Sequence, residues 1–187
     1  MLRTNQSFLA YTEKLYLQES GKGSIRVKQY AKGEKLVRQN EKANKIMLIK
    51  EGITKCFFTE ENDKEYILEF LGKGEILGEI EFIRNMNYLC NVEAVTAVIV
   101  YAFSVPFFES LLKNDLTLNA ILLDVFAERI VNTASRASYQ QLYTLEHSLA
   151  KLLEIQAKQE IPISKEDMAA YLGISVRSLN RVLKSLQ

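Results

Sequence analysis

From about Ser24 to Phe103, apolar residues come in short runs separated by polar turns. "SIRVKQY" places Ile25 and Val27 at the two-residue period, and "KIMLIKEG" and "ITKCFFT" are rich in β-branched and aromatic residues, so each predicts a strand. "TEENDKE" is a polar turn ahead of "YILEFL", where the same period puts Tyr66, Leu68 and Phe70 on one face. "LGKGE" is a further turn, and "NVEAVTAVIVYAF" supplies two more strand-length runs. Glycines at positions 33, 52, 72, 74 and 78 fall at the breaks. Many short strands at near-regular spacing predict a β-roll or jelly roll rather than an alternating α/β sheet.

After Pro106 the period changes. No Gly or Pro occurs from Phe107 to Ile161. Leu118, Ile121, Leu122, Val125, Phe126, Ile130 and Ala134 recur at spacings of three and four, as on a long amphipathic helix. The stripe is wider than one partner requires. One side fits the β domain and the other fits a second copy, which predicts a homodimer seam of Leu118, Ile121, Leu122, Val125, Phe126 and Ile130; packing wholly on its own core is the alternative. "LEHSLAKLLEIQAKQ" is again amphipathic, with Leu145, Leu149, Leu152 and Leu153 inward.

Pro162 ends that helix. Ser164, with Asp167 three residues on, then has the form of a capping box for a helix over Lys165 to Leu172. Gly173 supplies a left-handed turn, and Ser175 caps a second helix from Val176 to Leu186. Helix, glycine turn and helix make the helix-turn-helix pattern, with Ala169 at the close crossing and Leu172, Ile174, Leu179, Val182 and Leu183 as the shared core. The opposite side carries Arg177, Ser178, Asn180, Arg181 and Lys184. The predicted fold is α+β in three parts. A β-roll sensor spans 1–113, a dimerisation and linker helix 114–143, and a helix-turn-helix 144–187.

Composition narrows the chemistry. The chain has 187 residues, 48% hydrophobic and 25% charged, enough to bury a core and too apolar for disorder. Net charge is only +1, so a nucleic-acid contact must come from a local basic face. The second helix of the pair carries only positive charge, its neighbouring Glu166 and Asp167 lying at the start of the first. Two cysteines, Cys56 and Cys90, are too few for a disulfide framework; in strand-like runs they read as buried small hydrophobes ahead of redox sensors. No signal peptide opens the chain and no apolar run reaches membrane length, which leads us to expect a cytoplasmic protein with no membrane partner. His147 stands without further ligands at zinc-like spacing, so no metal site is expected, and two cysteines cannot hold an iron–sulfur cluster. No P-loop, nucleophile elbow or HExxH motif occurs, and an enzyme is not expected.

In this order the segments resemble the Crp/Fnr family of bacterial transcription regulators. "KGEKLVRQNEKANKIMLIKEGITKCFFTEENDKEYILEFLGKGEILGEIEF" resembles that family's cyclic-nucleotide-binding roll, with its "GE-x-x-GE" segment at Gly74 to Glu79. "NVEAVTAVIVYAFSVPFFESLL" resembles the strands and small helix closing the roll, and "AAYLGISVRSLNRVLKSL" its DNA-reading end. "GEIEF" with "VEAVT" is most similar to a branch without a nucleotide ligand, around the starvation-linked regulator YeiL. The resemblance implies double-stranded DNA with a pseudo-palindromic site as partner, a homodimer, RNA polymerase as a further partner, and an effector at the roll. The effector candidates are Gly78, Glu79, Ile80, Tyr88, Leu89 and Cys90, with Thr133 from the long helix.

Two departures qualify it. Glu79 stands where the family's ribose-binding Glu stands, but Tyr88 and Leu89 occupy the place of its phosphate-binding Arg-Ser or Arg-Thr pair. A phosphate there, with no cation, would cost roughly several kcal/mol. Arg84 lies four residues too early, and Ala134 replaces the hydroxyl beside Thr133, so cyclic AMP is not the expected effector and none is identified. At the DNA end, Val176 and Arg177 replace the usual Arg-Glu pair, so the operator should differ. Ser175 and Ser178 are expected at phosphates, Arg177, Asn180 and Arg181 at base edges, Val176 at a thymine methyl and Lys184 at the backbone, with Ser164 also among the DNA-binding candidates. The sequence ends at Gln187, short of most of the family's wing. The expected function is thus a transcription regulator that couples a signal at the roll to operator binding. The alternative is a ligand-sensing or protein-interaction module with weakened DNA binding.

Overall fold

The structure, a computed structural model, describes residues 2–185. Strand β1 (Leu2–Arg3) and helix α1 (Gln6–Gln18) precede the roll, and neither was foreseen from the pattern. The roll comprises β2 (Ile25–Tyr30), β3 (Lys35–Val37), β4 (Ile46–Glu51), β5 (Thr54–Thr59), β6 (Glu65–Leu71), β7 (Ile76–Leu77), helix α2 (Glu79–Arg84), β8 (Asn91–Ala94) and β9 (Val98–Phe103). Helices α3 (Val105–Asn114), α4 (Leu116–Leu142), α5 (Leu145–Gln159), α6 (Lys165–Leu172) and α7 (Val176–Ser185) follow. The α+β roll, long helix and terminal helix pair agree with the predicted architecture.

Two sheets face each other, in strand orders β1-β6-β5-β8-β3 and β2-β9-β4-β7, and every pairing except β1 with β6 is antiparallel. Each sheet is covered on its outer face too. "IMLI" in β4 is therefore apolar without alternation, because Met47 and Ile49 enter the roll interior while Ile46 and Leu48 meet α1, α3 and α4. The outer face of the first sheet, with Phe57, Ile67 and Phe70, lies under Leu149, Leu152, Met168, Leu179 and Val182 of α5, α6 and α7.

The expected common face for Tyr66, Leu68 and Phe70 does not form. The register shifts where Cys56 pairs with Glu69 and Phe57 with Ile67, leaving Leu68 as the extra residue of a bulge. Leu68 packs with the roll interior, whereas Ile67 and Phe70 both join the outer cluster.

Helix α4 begins at Asp115, whose carboxylate accepts from the Thr117 and Leu118 amides at 2.8 and 3.0 Å and from the Tyr11 hydroxyl at 2.9 Å. The Leu118 amide bond above all lowers the Asp115 carboxyl below the ordinary range. Further along, α4 is tied down by buried charge. Arg3 meets Glu69 at 3.1 Å and Glu75 at 3.4 Å, and Arg129 of α4 meets Glu75 at 3.4 Å and Glu79 at closer range.

Candidate DNA interface and effector pocket

The helix pair forms as its residues dictate. Ser164 Oγ accepts from the Asp167 amide at 3.0 Å, capping α6. Gly173 takes φ of +70°, a conformation a side chain would resist, and lets the chain turn into α7. Ser175 Oγ accepts from the Ser178 amide at 3.1 Å and bonds the Ser178 hydroxyl at 3.0 Å. Leu179 and Val182 are buried with Met168 and Ala169. Outward stand Ser175, Val176, Arg177, Arg181 and Lys184, all exposed, with Ser178 and Asn180 half-buried. The Asn180 side-chain Oδ1 accepts from Lys165 Nζ at 3.4 Å, so this candidate is engaged in the free chain. Leu186 lies outside the described residues.

The unit is seated on the roll. Lys55 of β5 bonds Asp167 of α6 at 2.7 Å and Glu93 of β8 at 3.3 Å. Burial alone would lower the Lys55 ammonium, but Asp167 and then Glu93 reverse this and raise it. Arg136 of α4 donates to the Leu68 and Tyr171 carbonyls and stacks on the Tyr171 ring, 3.9 Å from its centroid. Lys55, Asp167 and Arg136 were absent from the sequence-based candidates.

The effector region is closed by the chain's own groups. Gly78, in the left-handed conformation, passes so near the Lys45 carbonyl that a Cβ would lie 2.1 Å from its oxygen. It leads into Glu79, which is 1% exposed and paired with Arg129; Arg129 also donates to the Ile76 carbonyl at 2.9 Å. Burial raises the Glu79 carboxyl, with Arg129 opposing. Tyr88 is buried, its hydroxyl accepting from the Asn44 and Lys45 amides at 3.2 and 2.9 Å and donating to the Lys45 carbonyl at 3.1 Å. Leu89 turns outward, and its amide donates to the Glu81 carboxylate at 3.0 Å. An internal anion thus holds the amide beside the expected phosphate position.

The remaining effector candidates are dispersed. Ile80 is half-buried, Arg84 is exposed at the end of α2, and Thr133 is exposed on α4 one turn beyond Arg129. Cys90 is bonded to Cys56, with Cα atoms 6.3 Å apart. The free buried cysteines expected from the sequence are therefore corrected to a bonded pair, brought together by the β5–β8 pairing. A cleft of about 380 Å³ lies beside α2, lined by Lys42, Ala43, Glu81, Phe82, Met86 and Val105 among others, outside the filled roll interior.

The α4 stripe divides. Leu118, Leu122 and Val125 are buried with Phe8, Ile76 and Phe108 inside the same chain, so they are not available as a dimer seam. Ile121 and Phe126 are half-buried, and Ile130 is 69% exposed. Leu123 and Val131, passed over in the sequence, are 69% and 63% exposed beside it.

Comparisons with known proteins agree with this architecture. Residues 27–115 match the cyclic nucleotide-binding domain family. The cAMP-activated global transcriptional regulator CRP of Salmonella typhimurium is 25% identical over 172 residues, covering 86% of this chain and 82% of its own. A probable transcriptional regulator, flp, of Lacticaseibacillus casei is 26% identical over 165 residues, covering 85% and 75%. In fold, the c-di-GMP-responsive global regulator CLP of Xanthomonas campestris superposes with a TM-score of 0.80 at 20% identity, over 95% of this chain and 91% of that one. These relatives are transcription regulators rather than enzymes, and no described helix is long and apolar enough to cross a membrane. Family model, relatives and fold converge: the roll matches a cyclic nucleotide-binding domain, and along most of its length the chain is similar to transcription regulators of the Crp/Fnr type.

Proposed function

We propose that this chain binds a pseudo-palindromic operator as a homodimer, presenting one α7 from each protomer to successive major grooves. The observation that carries this is the row Arg177, Arg181 and Lys184, exposed on a helix whose other side is buried and whose start is capped by Ser175. A helix so held projects fixed donors, which is what base-edge recognition requires. Two-fold symmetry then sets half-sites about 34–36 Å apart. The dimer seam is the outward row Leu123, Ala127, Ile130, Val131 and Ala134, not the buried part of the stripe. RNA polymerase is the further partner of such a regulator.

Cyclic AMP and cyclic GMP are not its effectors in this proposal. Glu79 is paired with Arg129, the Leu89 amide with Glu81, and Tyr88 fills the space toward Lys45. These contacts favour a branch of the family that dispenses with a nucleotide. A fluorescence-anisotropy titration against a selected operator tests the DNA reading. Arg181→Ala is expected to cost about 1–3 kcal/mol and relax base preference, while Lys184→Ala weakens all sequences alike and lowers the salt slope by about one. Identical behaviour of both variants and the unaltered chain would overturn it.

A further inference from the structure

We propose that Cys56 and Cys90 are a reversible thiol–disulfide pair whose state sets how firmly the helix-turn-helix unit is seated on the roll. Two independent features carry this. The first is the pair itself. Cys56 on β5 and Cys90, just before β8, are bonded although 34 positions apart in sequence. Both lie in the roll interior, and Cys90 directly follows the outward-facing Leu89.

The second feature is what flanks Cys56. Successive residues of a strand point to opposite faces, so Lys55 and Phe57 project toward the helices while Cys56 projects inward. Phe57 is fully buried beneath the α5–α7 cluster. Lys55 bridges Glu93 of β8 to Asp167 of α6 and lies 5.2 Å from the centre of the Phe57 ring. The bond therefore stitches β5 to the segment entering β8, the two strands that carry the seat of α6, beside the point where the other neighbour of β5, β6, bulges at Leu68 and its ladder is interrupted. Two thiols need more room than one disulfide. In a close-packed interior that extra room comes from displacing β5 against the segment entering β8.

The chemistry balances without a metal. The Cys90 thiolate attacks one sulfur of a small-molecule disulfide, forming a mixed disulfide and releasing one thiol. The Cys56 thiolate then attacks the Cys90 sulfur and releases the second thiol. The small disulfide takes up two electrons, and the two cysteine protons end on the two released thiols. A dithiol runs the sequence backwards. The link to transcription rests on the DNA-binding reading above, but the site and its coupling to α6 do not.

The test uses the 187-residue chain equilibrated with dithiothreitol or with oxidised glutathione. Alkylation followed by mass measurement should count two free thiols in the first and none in the second, with Cys56→Ser stopping at a glutathione adduct on Cys90. Amide hydrogen exchange across α6 and α7 should be at least about fivefold faster in the reduced chain. The Cys56→Ser/Cys90→Ser double variant, checked for folding by circular dichroism, should show no such difference. Lys55→Met should exchange rapidly in both redox states. Two thiols persisting in oxidised glutathione overturn the pair, and a disulfide that leaves α6 and α7 exchange unchanged overturns the coupling. Both readouts are free of DNA, so their failure is distinct from a failure of operator binding.

Discussion

Leu122 and Leu123 are adjacent on α4 yet should fail in different ways. Leu122 is 3% exposed inside the protomer, while Leu123, Ile130 and Val131 leave 69%, 69% and 63% of their surface open. Fully burying a Leu, Ile or Val side chain gains about 1.5–3 kcal/mol, so covering what remains open gains about 1–2 kcal/mol for each. Three from each protomer give a gross gain of about 6–12 kcal/mol, comparable with the association cost of about 4–15 kcal/mol, so the seam is decisive. Leu123→Glu removes about 2–4 kcal/mol of that gain per dimer and adds two unpaired carboxylates at roughly 1–3 kcal/mol each. A loss of about 4 kcal/mol or more is a rise of about a thousandfold in dimer Kd. Sedimentation across nanomolar to high micromolar concentration reads this directly. The variant should sediment as a folded monomer where the unaltered chain is a dimer, with circular dichroism and exchange of its interior amides unchanged. Leu122→Ala should instead lower stability by about 2–5 kcal/mol through the cavity it leaves, with no change in the dimer constant of the folded protein. If Leu123→Glu remains dimeric at low micromolar concentration, the outward row is not the seam.

Two further outcomes follow from the pocket and from the start of α4. Calorimetry with cyclic AMP and cyclic GMP should detect no binding tighter than about millimolar, roughly −4 kcal/mol; a micromolar Kd would mean that Arg129 abandons Glu79 to serve the ligand. Asp115→Ala should destabilise α4 by about 1 kcal/mol above pH 4 through loss of the cap. Because the folded Asp115 carboxyl lies below its unfolded value of about 3.9, its contribution is present above that pH and is lost as pH falls through the folded value. Melting curves of the two proteins should therefore converge as pH falls below that unfolded value, and a gap that stays constant would show that the carboxylate charge is not what caps the helix.

The DNA-reading pair was legible because its grammar is local: Ser164, Gly173 and Ser175 act within three residues of themselves. The departure of Tyr88 and Leu89 from the family's Arg-Ser or Arg-Thr pair was visible in the sequence too, through the resemblance of the surrounding segment. What was hidden depends on distant partners. Periodicity shows that α4 has a wide apolar stripe but not which side meets α1 and α3, so Leu122 was assigned outward and Leu123 overlooked. Glu79 looked free until Arg129, 50 residues on, was seen beside it. The Leu68 bulge broke the two-residue period that had grouped Tyr66, Leu68 and Phe70. Cys56 and Cys90 meet only through the β5–β8 register, which no spacing rule gives.

These hidden contacts share a direction. Arg129 ties α4 to Glu75 and Glu79 at the roll's effector segment, and two turns later Arg136 of the same helix holds the Leu68 carbonyl and the Tyr171 carbonyl of α6. On the opposite approach, Lys55 joins β5 and β8 to Asp167 of α6. The helix-turn-helix is thereby seated by two charged contacts, one reached through α4 and one through the sheet. A buried ion pair adds little net stability, but breaking it by removing one partner is costly, so such contacts favour one arrangement over near alternatives. If the roll binds no cyclic nucleotide, as proposed, a signal can still act on either contact by displacing α4 or by shifting β5. The reading helix need not unfold for either; α6 has only to leave its seat, and α7 moves with it because Met168, Ala169, Leu179 and Val182 form one core.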